Sequence, residues 1–112
     1  MAMRLPHNDE AILDIRKIED YCLNRAHPRG RHKARVFREA LDLQRTDASW
    51  LRAVLLEAAR SGEALQVGED AWGTYWRLDA TVRRQEKTAV VRTIWIVRTG
   101  DSVPRFVSCW VL

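Results

Sequence analysis

Tyr75-Trp76-Arg77-Leu78-Asp79-Ala80-Thr81-Val82 alternates strictly: Trp76, Leu78, Ala80 and Val82 fall on one side of an extended chain, and Tyr75, Arg77, Asp79 and Thr81 on the other. Successive strand side chains point to opposite faces, so this stretch reads as a strand with one apolar face. Arg84 to Lys87 reads as a hairpin turn and Thr88 to Arg98 as the returning strand. Gly100 to Pro104 breaks the chain before a last strand, Arg105 to Leu112. Upstream, Gly68 and Gly73 mark turns around a short strand at Leu65 to Val67. Connections this short join antiparallel neighbours, so an antiparallel four-stranded β-meander is expected. Val91, Thr93, Trp95 and Val97 share one side of the third strand. In the last, Arg105, Val107, Cys109 and Val111 oppose Phe106, Ser108, Trp110 and Leu112. Neither side is wholly polar, so pattern alone does not choose the face that meets the helices. A groove on the other face would explain why Thr93, Trp95 and Arg105 interrupt apolar strands.

Before Gly62 the period is helical. Ile12, Ile15, Ile18 and Cys22 predict a first helix from about Glu10 to Leu23. A second runs from about Arg31 to Leu43, entered through Pro28 and Gly30. Thr46 or Asp47 caps a third, with Leu51, Val54, Leu55 and Ala58 as its buried stripe and Gly62 as its stop. N-terminal helices, about three, followed by strands define an α+β class with helices on one face of one sheet. The 112 residues suit a single domain, 1–112, with 1–9 expected as a flexible N-terminal tail.

Composition excludes several classes. At 46% hydrophobic residues the chain is not of the disordered type, and no apolar run approaches the ~20 residues of a membrane span. The start, Met1-Ala2-Met3-Arg4-Leu5-Pro6, lacks the apolar core of a secretory signal. Cys22 and Cys109 sit in apolar patterns and read as reduced core thiols of a cytoplasmic protein. The three histidines, His7, His27 and His32, have no clustered acids or thiols, so neither a metal nor another cofactor is expected. P-loop, dinucleotide-binding and nucleophile-elbow motifs do not occur. The net charge of +4 points modestly to a polyanionic partner. Of the five tryptophans, Trp50, Trp76 and Trp110 fit core positions by period, and Trp72 beside Gly73 fits an exposed rim.

Chemistry concentrates in His27-Pro28-Arg29-Gly30-Arg31-His32-Lys33-Ala34-Arg35-Val36-Phe37. From Arg25 to Arg38 there are six Lys or Arg and no Asp or Glu. The Pro-x-Gly break puts His27 on a loop and His32 and Lys33 in the first helical turn. At about 100° per residue, Lys33 lies about 40° from Phe37, inside the apolar arc, whereas Arg31, Arg35 and Arg38 share the solvated face. A lysine there either snorkels or points into a cleft. The plainer readings are that His27 caps a turn, His32 lies on a solvated flank, and the arginines form an ordinary charged face.

These residues resemble a family of small bacterial domains. Its pattern is a helix end Lys-x-x-x-Tyr-x-Leu-Asn, then His-Pro-x-Gly-x-x-Lys-Ala-x-x-Phe, a late Thr-x-Trp, and Pro-Arg. Here those are Lys17, Tyr21, Leu23 and Asn24; His27, Pro28, Gly30, Lys33, Ala34 and Phe37; Thr93 and Trp95; and Pro104 and Arg105. Ser108 stands where the pattern has threonine, which keeps the hydroxyl. The layout also resembles the barnase–EndoU–colicin–RelE (BECR) superfamily of metal-independent ribonucleases. That resemblance implies a toxin-like endoribonuclease cleaving tRNA or mRNA, paired with a small acidic antitoxin or immunity protein and with no membrane partner.

Cleavage by transphosphorylation needs a base for the 2′-hydroxyl, an acid for the leaving 5′-oxygen and cations for the phosphorane. His27 or His32 would be the base, and Lys33 the phosphate cation or acid. Arg105 would grip non-bridging oxygens in a bidentate pair, and Thr93 and Ser108 would donate hydrogen bonds. Trp95 would stack on a base, with Arg31 and Arg35 following the RNA backbone. The alternative from the same residues is a non-catalytic module that binds nucleic acid or a protein on a degenerate nuclease fold.

Overall fold

The computed structural model describes residues 3–112. Two α-helices, α1 (Arg31–Leu41) and α2 (Ala48–Ser61), precede four strands: β1 (Ala64–Asp70), β2 (Gly73–Arg84), β3 (Lys87–Arg98) and β4 (Pro104–Val111). The strands form one antiparallel sheet in the order β1-β2-β3-β4, so the protein has the α+β meander its periodicity announces. The β2–β3 hairpin turns at Gln85, in the left-handed conformation at φ 55°, and pairs along its whole length from Gly73↔Arg98 to Arg84↔Lys87.

The helices cover the face carrying Trp76, Leu78, Ala80 and Val82 on β2, and Val91, Thr93 and Trp95 on β3. Phe106 and Cys109 complete it from β4, and Phe37 and Leu41 of α1 and Leu51, Leu55 and Ala59 of α2 pack against it. Burial of these side chains, each worth about 1.5–3 kcal/mol for a large aliphatic or aromatic group, holds the two layers together. Val54 and Ala58 flank the α2 stripe and are only partly buried, whereas Ala59 is fully buried in it. The opposite sheet face is more open, and there Arg92 and Asp79, direct cross-strand partners, pair at 2.9 Å.

The first expected helix is largely absent. A π-type turn, Ile18–Cys22, is its main regular piece. Ile12 is 40% exposed, and its main chain forms a parallel bridge along β4: Ile12 N–H donates to Pro104 O, and Phe106 N–H to Ile12 O, both at 2.9 Å. Pairing with β4 satisfies that backbone better than a helix would, while Leu13, outside the expected stripe, goes into the core. The segment expected as a tail also makes contacts within its described part, 3–9. Leu5 is buried, Ala64 N–H donates to Met3 O at 2.8 Å, and Arg4 donates to Ser61 O at 2.6 Å. The first two residues of that expected tail lie outside the described ones.

α1 stops two residues sooner than its pattern, because Asp42 adopts a left-handed conformation (φ 56°) and donates its N–H back to Arg38 O. β1 is longer than expected, though only Ala64 in it is buried. Trp72 is 75% exposed at the β1–β2 turn. Trp76 is a core residue, but Trp50 lies outside under the Arg84 guanidinium (5.1 Å), and Trp110 is half-buried at the sheet edge. Among the described residues no helix is long and apolar enough to cross a membrane.

Candidate active site

The loop before α1 is fastened by its own histidine. His27 Nδ1 accepts the main-chain N–H groups of Arg29 and Gly30, both at 3.0 Å, and His27 O accepts Arg31 N–H at 3.0 Å. An Nδ1 that accepts two N–H groups carries no proton, so the neutral ring holds its proton on Nε2. The ring stands edge-on to Tyr21, centroids 4.7 Å apart. Gly30 completes the docking: a Cβ built there would lie 2.2 Å from Tyr21 O, closer than any side chain allows. Loop and π turn therefore fit together only with glycine at this position.

Lys33 leaves α1 beside Phe37 and extends past the core to the sheet edge. Its Nζ donates to Ser108 Oγ at 2.9 Å and lies 5.1 Å from the Tyr21 ring centroid and 5.2 Å from that of Trp110. β4 is shaped to receive it. Ile94 pairs with Ser108 but Trp95 with Phe106, so Val107 is an extra residue in β4. Beyond this bulge, Ser108 and Trp110, two apart in the strand, both reach the lysine. An ammonium flanked by two ring faces gains about 0.5–2 kcal/mol, depending on how far it is desolvated.

Lys33 is the wall between two grooves. One, of about 690 Å³, is lined by Asp14, Arg16, Lys17, Tyr21, His27 and Ser108 among others. The other, of about 480 Å³, is lined by His32, Val36, Trp110 and Val111. Lys17 Nζ donates to Phe106 O at 2.7 Å, which places a second ammonium along the first groove. His32 is exposed, and its ring makes no hydrogen bond among the described residues. Beneath Ser108 lie the two cysteines, both buried and reduced, with their Sγ atoms 3.8 Å apart.

Several expected site residues lie elsewhere. Thr93 is fully buried, donating to Leu78 O at 2.6 Å and accepting Trp95 Nε1–H at 2.8 Å. Trp95 is itself fully buried, edge-on to Phe106 at 5.4 Å, so it presents no face to a base. The groove expected on the uncovered sheet face is not where these two residues point: both face the helices. Arg105 lines neither groove; its guanidinium turns to Asp101 at 3.4 Å. Arg31 and Arg35 are exposed on α1 and also lie outside both linings. His27, with Nδ1 occupied, is not a free base. The expected residues that come together are Lys33 and Ser108, with His27 and His32 bordering one groove each.

Residues 4–112 match the family model described as a domain of unknown function, DUF6883. The chain belongs to the DUF6883 family. No curated protein and no solved structure matches it. The DUF6883 match spans every element that builds the site, from the segment bridged to β4 through β4 itself.

Three participants in this DUF6883 site escape a reading of the sequence. Trp110 reads as core by period, because the bulge that redirects β4 has no local signature. Cys22 and Cys109 each read as an ordinary buried thiol, and nothing short of the register brings them together. Tyr21 was visible in the Lys-x-x-x-Tyr pattern, but its role as a face for Lys33 needed the π turn. Among the described residues no group of three or more His, Cys, Asp or Glu side chains is placed to hold a metal ion.

Proposed function

We propose that this DUF6883 domain is a metal-independent ribonuclease of toxin type, acting by 2′-hydroxyl transphosphorylation at Lys33. The observation that carries the reading is Lys33 itself: an ammonium on the Ser108 hydroxyl, between two aromatic faces and open to a groove on either side. A scissile phosphate on Lys33 would leave one flanking nucleotide in each groove, as in-line displacement requires.

His32, in the Trp110 groove, removes the 2′-hydroxyl proton as oxygen attacks phosphorus. Lys33 and Ser108 neutralise and hydrogen-bond the phosphorane oxygens. The 5′-oxygen departs with the proton of Tyr21, whose phenol lines the other groove. The products are a 2′,3′-cyclic phosphate and a 5′-hydroxyl. Trp110 takes the stacking role expected of Trp95, and Lys17 supplies positive charge along the larger groove, where Arg16 is paired with Asp14 at 2.7 Å. Ordinary cytoplasmic RNA, tRNA or mRNA, is the substrate class, and a small acidic antitoxin or immunity protein covering the basic cleft is the partner.

The second reading, a binding module without catalysis, draws support from His27, whose Nδ1 is occupied by main-chain N–H groups and so is unavailable as a base. Tightly induced expression in a bacterial host separates the two. Growth arrest with discrete RNA fragments, both abolished in Lys33→Ala, supports the ribonuclease. Intact RNA with salt-sensitive RNA affinity supports the module.

A further inference from the structure

We propose that Cys22 and Cys109 form a modification site: a dithiol that a hydroperoxide closes into an intramolecular disulfide and a small thiol reductant reopens. The geometry is independent of any catalytic reading. Cys22 ends the π turn, Cys109 lies in β4, and their Sγ atoms are 3.8 Å apart although 87 positions separate them in the chain. A disulfide bond is about 2.05 Å long, so closure needs an approach of under about 2 Å between facing sulfurs.

Buried thiols are ordinarily inert because burial disfavours the thiolate. Here the surroundings oppose burial. A hydrogen bond from the Cys109 thiol, assisted by the Cys109 main chain, the Lys33 ammonium and the Ser108 hydroxyl, holds the Cys22 thiol down at about 7. The same hydrogen bond, together with burial, pushes Cys109 up. On this assignment Cys22 attacks and Cys109, whose Sγ faces it at 3.8 Å, resolves. Both cysteines are fully buried, and Tyr21 and Ser108, their chain neighbours, line the larger groove, so hydrogen peroxide reaches the sulfurs through an opening of the π turn.

In the first step the Cys22 thiolate attacks the peroxide: an S–O bond forms, the O–O bond breaks, and hydroxide leaves and is protonated. Cys109 sulfur then attacks the sulfenic acid. The S–S bond forms, the S–O bond breaks, and the Cys109 proton leaves with the oxygen as water. Two thiols and one hydrogen peroxide give one disulfide and two waters. Closure ties the π turn to β4 between Tyr21 and Ser108 and removes the thiolate beside Lys33. In that respect its consequence for activity rests on the ribonuclease reading.

The test is intact mass and thiol alkylation of the full chain, reduced and then treated with stoichiometric hydrogen peroxide while folded. The expected product is monomeric, two hydrogens lighter, refractory to iodoacetamide after denaturation, and restored by dithiothreitol. In Cys109→Ala the reaction should stop at a sulfenic acid on Cys22, trapped by dimedone. If both thiols of the folded wild type stay alkylatable, or the only disulfide links two molecules, the proposal fails; that measurement needs no variant to fold. RNA cleavage is read separately before and after oxidation. Loss on closure and recovery on reduction ties the dithiol to the site. A reduced protein that never cleaves RNA overturns the ribonuclease reading and leaves the thiol result standing.

Discussion

Lys33 and Ser108 lie 75 positions apart in the chain and meet through a 2.9 Å hydrogen bond at the edge of the sheet. The bond joins the one basic residue on the apolar arc of α1 to the residue just past the β4 bulge. Lys33→Ala should leave the fold intact and lower RNA cleavage by about 10²–10³-fold, the typical loss on removing one charge-stabilising donor. Lys33→Arg should restore part of it. Single-turnover cleavage with circular dichroism on the same samples checks both, and full activity in Lys33→Ala would refute the site.

The two histidines should separate stability from turnover. His27→Ala removes the acceptor for two N–H groups and the edge contact with Tyr21, so it should destabilise by about 1 kcal/mol, as loss of a helix-end cap does. His27→Asn, which can still accept an N–H, should recover part of this. His32→Ala, at an exposed position, should change stability by no more than about 0.5 kcal/mol while slowing cleavage by at least about 10²-fold. Urea melts and cleavage rates for the three variants decide it.

Thr93→Val tests the reassignment of an expected catalytic hydroxyl to the core. It leaves the Leu78 carbonyl and the Trp95 indole N–H without their partner, at a position with no solvent exposure. The expected loss is about 1–3 kcal/mol in stability, with cleavage per folded molecule unchanged. A stable but inactive Thr93→Val protein would return the residue to the site.

Gly30→Ala should be among the worst tolerated alanine substitutions outside the core. The added Cβ meets a main-chain carbonyl, which cannot swing aside as a side chain could. Stability should fall by about 1–3 kcal/mol, and the Tyr21–His27 contact should loosen, visible as shifted Tyr21 ring resonances by NMR.

Acid should unfold the protein through its paired carboxylates. The Arg84 guanidinium, with the Gln44 N–H, holds Asp47 below its ordinary 3.8, and Arg92 does the same for Asp79. A carboxylate whose value is lowered by folding stabilises the fold above its ordinary value and stops doing so as pH falls through the lowered one. Melting temperature should therefore be flat from neutral to about pH 4 and drop below it. Asp47→Asn should lower the plateau and shallow the drop; an unchanged acid limb would exclude Asp47 from it.

The sheet was legible in the sequence because period-2 alternation over two long strands has only one structural reading. Lys33 was legible for the opposite reason, as a charge in conflict with the pattern around it. The first helix was misread because Ile12, Ile15, Ile18 and Cys22 keep helical spacing, whereas the segment answers to a distant strand: Ile12 hydrogen-bonds to β4 at both main-chain groups. Thr93 and Trp95 were misplaced because alternation does not say which face is covered, and Arg105 because no pattern shows its pairing with Asp101. Once the helices are seen on the Thr93 side, both Thr93 and Trp95 become core by geometry. The bulge at Val107, a feature of register and not of composition, then decides that Ser108 and Trp110 belong to the site.

β4 is an outer strand, held on one side by β3 and on the other by the Ile12 bridge alone among strand-like contacts in the described residues. It brings Ser108 and Trp110 to Lys33, Cys109 to Cys22, and the Phe106 carbonyl to Lys17. Any partly opened form in which β4 has peeled away would keep most of the hydrophobic layer between α2 and the hairpin. It would still possess no assembled site, so competence and complete closure of the sheet should appear and vanish together.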